Sequence, residues 1–269
     1  MTVDVICQIE RTILPYECDW KGNLLLSQAL GMMMLASRKQ QQQLQNPNLI
    51  YEKGYTWIVI QHEIEIHRMP KVDEEVIIET QAISYNKFFT YREYRILSKE
   101  RKELFECITT FAMLDMKARK IVSIDEEVVL EYPLSIGKEM RKATRIPKKD
   151  FSDATTGEYK IRINDIDANL HVNNARYFDF AFSELGMEFL EDHQLKQVVI
   201  KYEKEVLPES TIACSTLWEE NTLETQERRQ TYHLISQDGN RCANIQMEWE
   251  EIVYNSLHFI QTSDTIIFV

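Results

Sequence analysis

Leu24-Leu25-Leu26-Ser27-Gln28-Ala29-Leu30-Gly31-Met32-Met33-Met34-Leu35 is apolar on almost every side at helical spacing. A helix of that kind is expected to be enclosed by other elements, not laid on a surface. Outward from it, a short strand at about 3–10 and a turn precede the run. After it come Trp57 to Ile66, Val76 to Thr80, and stretches at about 88–98 and 104–115, whose alternating or β-branched residues predict four strands. The same succession returns in the second half. There a strand at about 158–163 leads into a run from Ala175 to Leu190 that carries Tyr177, Phe178, Phe180, Phe182, Leu185, Met187 and Phe189. Strands at about 197–206, 211–218, 229–236 and 241–250 follow. The copies also align residue by residue: at a separation of about 138, Arg92 to Ser98 falls on Gln230 to Ser236, Tyr94 on Tyr232 and Pro70 on Pro208. With a gap, Asp19-Trp20-Lys21-Gly22-Asn23 matches Asp167-Ala168-Asn169-Leu170-His171.

One strand, one buried helix and four strands, twice over, predict an α+β protein. Each half would be an antiparallel sheet wrapped around a central helix, so the chain reads as two tandem hotdog domains. Between the copies, Gly137 to Lys149 holds six basic residues in thirteen and reads as a linker, dividing the chain into 1–136, 137–149 and 150–269. With 44% apolar and 28% charged residues the 269-residue chain can bury a core, and its net charge of −12 disfavours nucleic-acid binding. Neither a basic-then-apolar leader nor the roughly 18 apolar residues of a membrane span is visible, so the reading is cytoplasmic. Five scattered cysteines without a Cys-x-x-Cys pair fit free thiols, and no cofactor or metal is expected. His62 and His67 would lie on opposite faces of one strand, where they cannot share an ion.

The densest polar stretch, Asn164 to Asn174, stands directly before the second apolar run. Asp and Asn there can cap a helix and close a turn, or converge with an imidazole where free helix amides stabilise an oxyanion. Asp167-x-Asn169-x-His171-Val172-Asn173-Asn174-x-x-Tyr177, followed by Tyr202-x-x-Glu205, resembles the active-site pattern of the plant and bacterial acyl-[acyl carrier protein] thioesterases, and the resemblance runs through nearly the whole chain. It implies tandem hotdog domains with the catalytic set in the second: Asp167, Asn169, His171 and Glu205. It further implies acyl carrier protein as partner and release of free fatty acid from its thioester. Glu205 or His171 could take the proton of water, with Glu205 the expected base. Asn169 would orient water or the carbonyl, and Asp167 would hold His171 in its tautomer. Direct attack by Asp167 through an anhydride is the other route. Many plant members carry cysteine directly after the glutamate; Val206 stands there in this chain, which removes a thiol at that place.

The first copy has Asp19, Lys21 and Asn23 at the matching positions and His67 opposite Glu205, so one site per chain is expected, with the first domain supplying shape. Met34 and Trp57 are candidates for an acyl-chain pocket, against ordinary core packing. Lys138, Arg141, Lys142, Arg145, Lys148 and Lys149 offer an acidic carrier a basic surface, or form a solvated linker. An acyl-coenzyme A thioesterase and a non-catalytic acyl-binding protein are the competing functions. A hotdog dehydratase, resembling His-x-x-x-Gly, is disfavoured by Ala175. The two domains already supply the pair that single-domain relatives form as dimers, so a homodimer is an optional addition. The tail ending Thr265 to Val269 goes beyond the last strand that aligns.

Overall fold

In the computed structural model, residues 5–223 and 226–253 are described; the tail ending Thr265 to Val269 lies outside them. The first half runs β1 (Cys7–Thr12), α1 (Leu26–Gln41), α2 (Leu49–Glu52), β2 (Tyr55–Ile66), β3 (Glu75–Tyr85), β4 (Phe89–Ser98), β5 (Glu103–Asp115), β6 (Lys120–Val122), α3 (Glu126–Val129) and β7 (Gly137–Lys138). The second runs β8 (Thr155–Lys160), α4 (Arg176–Ser183), α5 (Met187–Asp192), β9 (His193–Tyr202), β10 (Thr211–Leu223), β11 (Gln226–Gln237) and β12 (Asn240–Glu251).

The main strands form one continuous sheet in the order β1-β3-β4-β5-β2-β9-β12-β11-β10-β8, with β6 beside β5 and β7 beside β3. Each half has the same internal order, and the halves meet where β2 pairs antiparallel with β9. Gln61 pairs with Lys201, His62 with Ile200 and Glu63 with Val199. At the repeat spacing these partners exchange places, so a pseudo-two-fold axis passes through the His62–Ile200 pair. A backbone ladder across that axis removes two exposed sheet edges, which would otherwise recruit other chains.

One apolar core runs through both halves. It includes Met33 of α1, Ile64 of β2, Tyr94 of β4, Phe178 of α4, Ile200 of β9 and Trp249 of β12, all buried. A second cluster on the outer face of the first half gathers Ile50, Tyr85, Met113, Ile124, Val128 and Val129 beneath α2 and α3.

Two helical expectations are corrected. α1 is not enclosed on every side, because Met32, Met33 and Ala36 face the sheet while Gly31, Met34, Leu35 and Arg38 form an exposed stripe; Met34 is 39% exposed. The sheet covers one side of the helix, and composition alone cannot reveal which apolar stripe is left over. The run from Ala175 to Leu190 is two helices, not one. Gly186, at φ 77 and ψ 157, occupies a region open essentially to glycine and ends the first helix. The bend lets Phe189 of α5 stack on His193 at 4.1 Å and meet the edges of Trp218 and Trp249.

Two histidines are sealed in the core as neutral rings. His62 Nδ1 lies 2.8 Å from Thr109 Oγ1, and His233 is held between Thr216 (2.8 Å) and Thr231 (3.0 Å), whose hydroxyl also accepts from Trp249. Burial lowers both from about 6.5 to about 3. The unfolded chain takes up these protons below about pH 6.5 and the folded chain does not, so acidification favours unfolding by about 1.4 kcal/mol per pH unit for each ring. Urea midpoints followed from neutral to acidic pH should fall more shallowly in His233→Gln than in the natural chain. Parallel curves would contradict this.

Candidate active site

Residues 166–172 fold back on themselves. Ile166 and Val172 bridge, the Asp167 N–H donates to the His171 carbonyl at 2.9 Å, and the Leu170 N–H donates to the Asp167 carbonyl at 3.0 Å. Leu170, at φ 63, takes the left-handed position of the turn and stays exposed. Asp167 Oδ1 accepts the Asn169 amide at 2.8 Å and the His171 amide at 3.5 Å, and Oδ2 faces Asn169 Nδ2 at 3.5 Å. This is an Asx turn, closed by the aspartate's own carboxylate.

The first domain builds the same turn. Cys18 and Leu24 bridge, Asp19 N–H donates to the Asn23 carbonyl at 2.8 Å, and Gly22 sits at φ 73 where Leu170 sits in the other copy. Asp19 Oδ1 accepts the amides of Lys21 (2.8 Å) and Asn23 (2.9 Å). Each turn is also docked alike: Leu24 N–H donates to Pro70 and Val172 N–H to Val206. A buried carboxylate two residues upstream anchors both. Glu17 accepts the Leu14 amide and pairs with Arg11; Asp165 accepts the Arg162 amide and pairs with the Arg162 guanidinium.

The two turns differ in what they present. His171 Nε2 lies 3.0 Å from Glu205 Oε2, and both residues are reachable from solvent, Glu205 being 42% exposed. The same Glu205 oxygen accepts from Arg119 Nη2 at 2.5 Å, so Oε2 carries two partners, and Oε1 has none among the described residues. In the first copy the corresponding His67 points instead to Glu103 at 3.2 Å. Beneath the pair, Tyr177 meets Tyr202 edge to face at 5.3 Å, and Tyr202 meets His62 at 5.8 Å. The Tyr202 hydroxyl donates to the Asn174 carbonyl at 2.9 Å, which ties the start of α4 to β9. Burial raises both tyrosine hydroxyls well out of the physiological range, so they stay protonated.

The four residues singled out in the sequence thus form two contacts, Asp167 with Asn169 and His171 with Glu205, linked through the turn backbone. The ring of His171 lies against Glu205, Nε2 to Oε2 at 3.0 Å; Asp167 holds the turn's amides. Nor is the start of α4 wholly free for an oxyanion, because Asn173 Oδ1 accepts the Ala175 amide at 2.9 Å and its carbonyl the Arg176 amide. Met34 and Trp57 are not brought together. Trp57 packs against the outer cluster beside a void of about 10 Å³, room for a single water. Linker cations are in part already paired: Lys138 with Glu126, Arg141 with Glu63 and Lys149 with Glu219. Arg119, in the β5–β6 turn and 86 residues from Glu205, has no local pattern in the sequence that marks it.

Comparison with known proteins comes to bear on this geometry. Residues 7–132 match the acyl-ACP thioesterase N-terminal domain and residues 148–251 the C-terminal domain of that family. A structure described as an oleoyl thioesterase from Lactobacillus plantarum is 31% identical and superimposes with a TM-score of 0.86, covering 93% of this chain and 97% of that one. The 12:0-ACP thioesterase from Umbellularia californica, 16% identical, shares the fold at a TM-score of 0.81 over 93% of this chain and 96% of that one. A chloroplastic palmitoyl-acyl carrier protein thioesterase from Cuphea hookeriana is 23% identical over 74% of this chain and 50% of its own length. The chain spans about half the length of such plant relatives. With both domain models matched in order, and with the duplicated turn carrying its histidine and glutamate only in the second copy, the chain belongs to the acyl-ACP thioesterase family.

Proposed function

We propose that this chain hydrolyses the thioester joining a fatty acyl chain to acyl carrier protein. The observation that carries the reading is the His171–Glu205 contact at 3.0 Å, with Glu205 Oε1 without a partner among the described residues, on the scaffold of this family. Water beside Oε1 gives up a proton as its oxygen attacks the thioester carbonyl. The tetrahedral intermediate collapses, the carbon–sulfur bond breaks, and the thiolate leaving group is protonated to the free thiol. His171, whose Nε2 lies 3.0 Å from the same carboxylate, relays that proton from Glu205 to the departing sulfur, which restores both groups. Asn169, exposed at the tip of the turn, is available to the substrate carbonyl.

Asp167 supports the site in another way. Its oxygens accept bonds from Asn169 and His171, and Asp19 does the same in the copy that lacks the histidine. A carboxylate occupied by its own turn is a poor nucleophile, which favours water over the anhydride route. Val206 is buried and its carbonyl holds the turn. For the acidic carrier, Lys142, Arg145 and Lys148 form an exposed strip that makes no ion pair among the described residues.

Thiol release from a chain-length panel of acyl carrier protein thioesters, beside the coenzyme A esters, tests the reading. We expect turnover that favours the carrier-protein esters and falls by about 10²- to 10⁴-fold in Glu205→Gln with the fold intact. Acyl binding without turnover would overturn it. Asp19→Ala and Asp167→Ala should each cost about 1 kcal/mol of unfolding free energy in urea titrations, since each removes the acceptor that closes a turn. Turnover should drop in the Asp167 variant and persist in the Asp19 variant. Equal losses would contradict the separation of roles.

A further inference from the structure

The His171–Glu205 contact is completed from the other domain. Arg119 sits at φ 54 in the β5–β6 turn, and its amide donates to the Asp115 carbonyl at 2.8 Å. Asp115 Oδ1 accepts the Lys117 and Ala118 amides at 2.9 and 2.8 Å, and Met116 N–H donates to Gly54 at 3.0 Å. The guanidinium therefore stands on a turn that is closed from within and tied to the preceding strand. Glu205 is different. The backbone before it is fixed, with Glu203 and Lys204 amides both donating to the Cys242 carbonyl, but the side chain is half in solvent and has several rotatable bonds. A neutral imidazole offers that carboxylate one N–H. Arginine adds a permanent charge and a rigid donor fork. Among the described residues, Arg119 is the one lysine or arginine in ion-pair contact with Glu205.

We propose that Arg119 is a positioning residue for the hydrolysis. By holding Glu205 Oε2 from the first domain, it keeps that oxygen on His171 and turns Oε1 toward the attacking water. The inference rests on the hydrolase reading above, and it gives the first domain a part in the chemistry that its own degenerate turn does not have. The geometry also sets the direction of the effect. Loss of the guanidinium frees the carboxylate to rotate, which lowers the fraction of enzyme poised for attack without removing a substrate contact.

The test uses the full chain with the acyl carrier protein thioester it turns over fastest, comparing Arg119→Ala, Arg119→Lys, Glu205→Gln and the double variant Arg119→Ala/Glu205→Gln, each checked for an unchanged melting temperature. Arg119→Ala is expected to lower kcat by about 10- to 100-fold with KM unchanged. Arg119→Lys should recover part of the loss, and added guanidinium ion should raise the turnover of Arg119→Ala. In the Glu205→Gln background, removal of Arg119 should cost nothing further. Natural kcat in Arg119→Ala beside a disabled Glu205→Gln would overturn the positioning role alone. A raised KM with natural kcat would overturn it in favour of a substrate contact. Full turnover by Glu205→Gln would overturn the catalytic pair and, with it, this inference.

Discussion

The antiparallel ladder between β2 and β9 is the constraint on which everything else rests. Its five residue pairs, from Gln61 with Lys201 to Glu65 with Gln197, fuse two half-sheets into one and fix how the domains face each other. Without that register the β5–β6 turn of one domain has no reason to lie against the loop that follows β9 in the other, and Arg119 does not meet Glu205. The linker reinforces the join from outside: Gln61 donates to the Thr144 carbonyl, and Thr144 donates to Glu63. Backbone pairing is well suited to this task, because a one-residue slip would turn every core side chain on the joining strands to the wrong face.

On the proposed reading, duplication accounts for a single site per chain. Both copies inherit the carboxylate-closed turn and its docking onto a neighbouring carbonyl, so the scaffold is paid for twice and used once. Between the copies, Trp20 stands against Ala168, Lys21 against Asn169, Gly22 against Leu170 and Asn23 against His171; the aspartate is unchanged. What stays constant across the copies serves the fold, and what diverges serves chemistry. On the proposed reading, Asp167 belongs to the frame, while His171 and Glu205 carry the reaction.

The repeated order of strands and apolar helix was legible because alternation and helical spacing are local properties, and each half repeats them. The candidate catalytic segment was legible for a different reason: its residues are dense in sequence and resemble a known pattern. Resemblance groups Asp167 with His171 and does not separate their roles; only the matching bonds of Asp19 do so. The exposed stripe through Met34 escaped because an apolar helix does not announce which face its sheet covers. The break at Gly186 was hidden by aromatic residues that continue on both sides of it. Arg119 could not be found at all, since a contact 86 residues long between two exposed side chains leaves no periodic signal.

On the proposed reading, water activated at Glu205 and His171 attacks the thioester while Asp167 holds the turn. The most direct test is hydrolysis of an acyl carrier protein thioester in water enriched in oxygen-18, carried through many turnovers, followed by mass analysis of the fatty acid and of the peptide containing Asp167. Label is expected in the fatty acid and none in Asp167. Label in the Asp167 carboxylate would contradict it and establish an acyl-aspartyl anhydride.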